Sequence, residues 1–149
     1  LTPTAEKIRR LTQPGGERPY RLQAELGAVM NEKVGIFRNR AELEQALAKL
    51  LDLKERYPDL RVSSPARHMN YELTGALELE QMLEVSHTII QGALLREESR
   101  GAHFRTDFNT RNDRDWLKHT IARQGPDGNP VISFKEVAIT RYQPVERKY

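Results

Sequence analysis

Apolar residues return at helical spacing along three stretches of this chain, with polar and turn-forming runs between them. Leu22, Leu26, Val29 and Met30 stand at i, i+4, i+7 and i+8, which predicts a helix from about Pro19 to Lys33 with one buried face. Gly27 inside that helix costs about 1 kcal/mol against alanine, so it is expected to mark the close approach of a neighbouring helix. Gly35 is a helix stop, after which Ile36 and Phe37 are expected to enter the core. A second helix starts at Asn39, an N-cap residue with Glu42 three positions on, as in a capping box. Its stripe is Leu43, Ala46, Leu47, Leu50, Leu53 and Tyr57, its wet side carries Gln45, Lys49, Asp52 and Arg56, and Pro58 ends it. Residues 59–68, with Pro65 and two serines, read as a connection.

The third and longest pattern runs from about Asn70 to Glu98. Its polar strip is narrow: Glu80, Gln81, Glu84, Thr88, Gln91 and Glu98 share one side. Leu73, Leu77, Met82, Leu83, Val85, Ile89, Ile90, Ala93 and Leu94 cover much of the rest, so this helix needs two neighbours or more. The expected fold is mainly α, an up-down-up three-helix bundle (spectrin-repeat-like) over residues 20–98. At ~1.5 Å per residue the third helix is about 40 Å long. It outruns the other two, leaving part of its surface for another domain to cover.

Thr2-Pro3 can open a short helix with Ala5, Ile8 and Leu11 on one side, and Gln13-Pro14-Gly15-Gly16 then breaks the chain. Residues 1–19 are expected to be a lead-in and linker outside the core. Beyond the bundle, residues 99–149 are expected to form a docking loop, a small β-hairpin and an extended C-terminal tail. The hairpin pairs Trp116–Ile121 with Pro130–Phe134 around a turn at Gln124-Gly125-Pro126-Asp127-Gly128-Asn129, with Val137, Ala138 and Ile139 as an extension. A two-stranded hairpin is marginal alone, so it needs a surface to lie on.

A chain of 149 residues suits one domain. Hydrophobic content of 38% with 30% charged residues describes a polar but foldable sequence. The absence of cysteine excludes disulfides, thiolate nucleophiles and thiolate metal or iron–sulfur ligation by this chain. No apolar run approaches the ~20 residues of a membrane span, so direct membrane insertion is not expected. The net charge of +3 is spread as +4, −4 and +3 over residues 1–40, 41–95 and 96–149. No basic stripe with interleaved aromatics accompanies it, so nucleic acid is not an expected partner. The opening Leu1-Thr2-Pro3-Thr4 is neither a signal peptide nor an initiating methionine, the expectation for a piece of something longer.

Candidate chemistry is sparse. The four histidines, His68, His87, His103 and His119, lack metal-ligand spacing. Ser99 lies four residues from His103 without a nucleophile-elbow pattern. No P-loop or Gly-x-Gly-x-x-Gly follows a strand, so no catalytic, cofactor-binding or metal residue is expected. The densest polar run is Arg96 to Asp107, where the third helix breaks. Arg100, His103, Arg105 and Asp107 have two readings. They either stitch the helix exit, with cations at its negative end, or form an interface in which arginines make forked bonds. With His119 on the hairpin, they are the candidate docking residues.

Five segments in order, "VGIFR" (Val34–Arg38), "N-EL-GALELEQML" (Asn70–Leu83), "REESRGAHFRTDF" (Arg96–Phe108), "RNDRDWLKHT" (Arg111–Thr120) and "P-ER-Y" (Pro144–Tyr149), resemble the C-terminal region of succinate dehydrogenase and fumarate reductase flavoproteins. The resemblance runs from about residue 21 to the end. It departs at Asp107-Phe108-Asn109-Thr110-Arg111-Asn112-Asp113, where relatives often place Asp-x-Pro before Arg-Asp-Asp. It implies a helical domain of an FAD-dependent succinate/fumarate oxidoreductase that packs on the FAD-binding domain and near the iron–sulfur subunit. FAD would sit in the parent subunit and not on this chain, and no catalytic residue carries over. The implied location is cytoplasmic, at the membrane surface through other subunits. The alternatives are a free-standing helical protein-interaction module, or the equivalent domain of L-aspartate oxidase or adenylylsulfate reductase.

Overall fold

The structure, a computed structural model, describes residues 2–66 and 68–145. Helix α1 (Pro3–Leu11) starts where Thr2 Oγ1 accepts the Ala5 N–H and proline occupies the first turn. Helix α2 spans Pro19–Lys33. Helix α3 (Arg40–Arg56) begins at Asn39, whose Oδ1 accepts the Glu42 N–H at 2.9 Å while its Nδ2 donates to the Glu42 carboxylate at 2.7 Å. A short 3-10 turn (Tyr57–Asp59) follows it. Helix α4 (Tyr71–Leu95) is capped by Asn70, which accepts the Leu73 N–H at 3.0 Å. Helices α2, α3 and α4 pack on one another as the expected three-helix bundle.

The core follows from the stripes. Leu22, Leu26 and Val29 from α2 meet Leu43, Ala46, Leu50 and Leu53 from α3 and Leu73, Ala76, Leu79, Leu83 and Ile90 from α4. Tyr57 enters with its hydroxyl donated to the Ala76 carbonyl at 2.9 Å, and burial pushes that phenol up to about 12. The lead-in contributes more than expected. Leu11 is fully buried in this core, and the Val62 N–H donates to its carbonyl at 2.9 Å. Behind it the Glu17 N–H donates to the Asp59 carbonyl and the Arg61 N–H to the Glu17 carbonyl. Gly16 makes that approach possible: its φ is +69°, and a Cβ there would sit 2.3 Å from the Asp59 oxygen.

Three expectations fail locally. Gly27 adjoins no close neighbour, since a Cβ built there meets nothing within 4 Å. Ile36 and Phe37 stay outside the core, exposed at 61% and 69%. The chain turns there into β1 (Phe37–Arg38), which pairs in parallel with β2 (Phe104–Arg105), Phe37 opposite Phe104 and Arg38 opposite Arg105. Helix α4 ends at Leu95 and not near Glu98, because Arg96 is extended (φ −86°, ψ 97°) and the last carbonyls are taken by Arg105.

Helix α5 (Asp113–Trp116) takes Trp116, expected in a strand, into a single helical turn. The hairpin then forms from β3 (Lys118–Gln124) and β4 (Pro130–Glu136), antiparallel from Lys118 opposite Glu136 to Gln124 opposite Pro130. Past it the Val137 N–H still donates to the Leu117 carbonyl at 3.3 Å, while Ala138 and Ile139 stand outside any strand. The hairpin lies against α4, and Trp116 and Phe134 meet edge to face at 5.1 Å. Of the expected tail, residues 146–149 lie outside the described residues. Arg111 donates to the Val145 carbonyl at 2.8 Å.

Candidate functional site

The polar run after α4 folds into two ion-pair centres joined by a histidine. The first is built on Arg105, which is fully buried. Its guanidinium forks onto Asp107, Nε to Oδ1 and one terminal nitrogen to Oδ2, both at 2.8 Å. The other terminal nitrogen donates to the Ala93 carbonyl at 2.8 Å and the Leu94 carbonyl at 3.2 Å. A cation thus closes the negative end of α4. Asp107 also accepts the Arg40 N–H at 3.0 Å, at the first turn of α3. Arg105 holds its carboxyl below the ordinary 3.8, at about 2, against the opposing effect of burial.

The second centre is Glu98, expected on the wet strip of α4 and found fully buried. The helix has already ended, so the periodicity that placed Glu98 on a polar face no longer applies. Its carboxylate accepts from Arg96, from Arg100 at 2.8 and 3.0 Å, and from the Asn112 N–H at 2.9 Å. Arg100 continues to Asp113 at 2.7 Å. Its hydrogen bonds to Glu98 and Asp113 raise its pKa above the ordinary value. Arg96 stacks over the Trp116 ring at 5.4 Å and donates to the carbonyls of Trp116 and Lys118, pinning the root of the hairpin.

His103 stands between the centres. Arg38 on β1 meets its Nδ1 at 3.0 Å, and its Nε2 meets the Arg96 carbonyl at 3.0 Å. An arginine only donates and a carbonyl only accepts, so the imidazole is neutral with its hydrogen on Nε2. Burial lowers its pKa, the Arg96 carbonyl pulls the other way, and Arg38, Arg105 and Arg96 press it down further.

The structure therefore brings Arg100, His103, Arg105 and Asp107 into one stitched helix exit. His119 stands apart, exposed on β3 opposite Lys135. Ser99 is a staple: its Oγ accepts the Arg105 N–H at 2.9 Å and donates to the Phe108 carbonyl at 2.8 Å. His87 is an ordinary packed histidine, its ring nitrogens 3.1 Å from Gln91 and 3.4 Å from Lys54. Arg38, Arg96, Glu98 and Asn112 escaped the sequence reading as site residues. Arg38 and Arg96 sit inside the motifs, but what they hold shows only in the fold: Arg38 reaches His103 across the β1–β2 pairing, and Arg96 holds Glu98 and the root of the hairpin.

The acids and guanidinium groups of this cluster are paired with one another, and among the described residues no buried side-chain polar atom is left without a partner. The chemistry it performs is positioning. It fixes the end of α4 to the start of α3, to β1 and to the hairpin.

The sequence and the fold are similar to those of known proteins. The family described as the fumarate reductase flavoprotein C-terminus matches residues 23–149. A fumarate reductase flavoprotein subunit of Haemophilus influenzae is 40% identical over 137 residues, covering 92% of this chain and 23% of the relative. The chain thus spans about a quarter of the length of the curated relatives it matches. A variant of E. coli quinol fumarate reductase FrdA superposes with a TM-score of 0.87 at 32% identity, over 95% of this chain and 25% of that one. Mycobacterium smegmatis Sdh1 superposes with a TM-score of 0.84 at 32% identity, over 91% and 23%. An adenosine-5-phosphosulfate reductase shares the fold at 21% identity, with a TM-score of 0.77 over 91% of this chain and 22% of that one.

Proposed function

Because the chain belongs to the fumarate reductase flavoprotein C-terminal family, we propose that it is the helical docking domain of an FAD-dependent succinate/fumarate oxidoreductase, packed on the FAD-binding domain and near the iron–sulfur subunit. The observation that carries this reading is apolar surface left open on the bundle. Val85 on α4 is 58% exposed, with Met82 and Ile89 on the same side, and Ile36 and Phe37 stand out beside Phe104. Isolated apolar residues on a surface are ordinary, whereas Met82, Val85 and Ile89 recur at helical spacing as one exposed stripe on α4, the kind of surface that marks a contact.

In this reading Arg100, His103, Arg105 and Asp107 hold the docking face in shape from within, and His119 on β3 meets the partner directly. FAD and the hydride step belong to the FAD-binding domain. In this reading any membrane attachment belongs to other subunits of the parent complex; no helix among the described residues is long and apolar enough to cross a membrane. The test is a binding measurement between this chain and the FAD-bearing remainder of the parent. Saturable association that Val85→Asp weakens at least about tenfold, with the helical signal of the chain unchanged, is the expected result. Succinate oxidation by this chain alone, or no association, defeats it.

A further inference from the structure

The β1–β2 junction carries a device that the docking role does not require. It joins two segments that are 65 residues apart at their closest link, Arg38 to His103. Its ladder is short. The Phe104 N–H donates to the Ile36 carbonyl at 3.3 Å and the Thr106 N–H to the Arg38 carbonyl at 2.8 Å. Two such bonds hold little by themselves, so the junction leans on side-chain contacts across the gap: the Thr106 hydroxyl donates to the Arg38 carbonyl at 3.2 Å, Asp107 accepts the Arg40 N–H at 3.0 Å, and Arg38 reaches His103. The one among them that involves a histidine is Arg38, which donates to the Gly35 carbonyl on its own side and to His103 Nδ1 across the gap.

We infer that Arg38 and His103 form an acid-released latch, fastening β1 to β2 while the imidazole is neutral and letting go when it takes a proton. The proton can only go to Nδ1, since Nε2 already donates to the Arg96 carbonyl. Once there, it points at a guanidinium nitrogen 3.0 Å away, donor against donor. It also adds a positive charge to a ring already facing Arg38 from β1, Arg96 from the end of α4 and Arg105 from β2. The acids nearby offer no relief. Asp107 is forked by Arg105, Glu98 is held by Arg96 and Arg100, and Glu97 is paired with Arg40 at 2.6 Å. Relief comes from Arg38 swinging away, and the backbone pairing it anchors goes with it. The faces of Phe37 and Phe104, in edge contact at 5.5 Å, then separate.

The sign is fixed by linkage. A half-buried imidazole with a lowered pKa keeps the latch shut above the ordinary imidazole value of ~6.5. As pH falls below that value, the open form binds the proton more readily and gains weight. The inference holds whether or not the chain docks as proposed. It is tested on the whole chain by amide exchange and ring titration in one NMR series from pH 8 to pH 5. Thr106 and Phe104 N–H protection, corrected for intrinsic rates, is expected to fall about tenfold across this range. The fall should track the His103 ring signal, and be absent in His103→Gln. Unchanged protection in the wild type overturns the latch. So does a fall that tracks the His87 ring, or one that persists in His103→Gln. If that variant does not fold, the wild-type comparison of the His103 and His87 midpoints still decides.

Discussion

Arg105 shows how much one side chain can organise. It is fully buried, yet each of its donors faces a carboxylate or a helix-end carbonyl. Removing one side of such a pair leaves buried groups without partners, at a cost of about 3–5 kcal/mol. Arg105→Ala is therefore expected to lower stability by about that much in urea unfolding, and Arg105→Lys to recover little, because an ammonium cannot fork onto Asp107 and still reach the Ala93 carbonyl. Asp107 gives the same contact a pH signature. Its carboxyl titrates at about 2 in the fold against an ordinary 3.8, so its contribution is complete above the ordinary value and fades as pH falls through the folded one. The stability gap between wild type and Asp107→Asn should be steady from pH 7 to about pH 4 and then close with further acid. A gap independent of pH would mean that Arg105 gains nothing from the charge. Gly27 points the other way. Nothing crowds it and it sits mid-helix, so Gly27→Ala should stabilise the chain by about 0.5–1 kcal/mol in the same assay.

At the scale of elements, α3 is the best specified. At its start Asn39 accepts the Glu42 N–H and donates from its amide to the Glu42 carboxylate, so Asn39→Ala is expected to cost about 1 kcal/mol of thermal or urea stability. This helix, α2 and the core face of α4 were legible in the sequence because their apolar residues repeat with the helical period and their caps are local. What failed to read was whatever depended on a distant partner. The last turn expected of α4 looked periodic through Glu98, but Arg105, ten positions past Leu95, takes the carbonyls that would have continued it. Ile36 and Phe37 looked like core by composition, and only pairing with Phe104–Arg105 turns them outward. Leu11 reads as a lead-in residue until the Val62 N–H draws its carbonyl against the bundle. The polar cluster could be located from sequence, since it is dense and follows a helix break. Its wiring could not, because Arg38 and Asn112 reach it from separate segments.

Across the whole molecule the fastening is uneven. Helix α4 touches α1, α2, α3 and both strands of the hairpin, so every local opening of α4 breaks core contacts. The hairpin makes its many pairings within itself and meets the rest through one face and the root that Arg96 holds. Ile121, Val131 and Phe134 remain substantially exposed, so little apolar burial resists its lifting. Opening free energy scales with the surface an element must uncover. Amides from Lys118 to Glu136 should therefore exchange with solvent faster than those of Leu79 to Ile90 in α4. Arg96→Ala should speed the hairpin further, because Trp116 and the Lys118 carbonyl lose their anchor, while leaving the α4 centre slow. Equal protection in the two elements would show a hairpin supported by the bundle alone, with no need of a covering partner. Faster exchange that slows when the FAD-bearing remainder of the parent is added would place the hairpin in the docking surface.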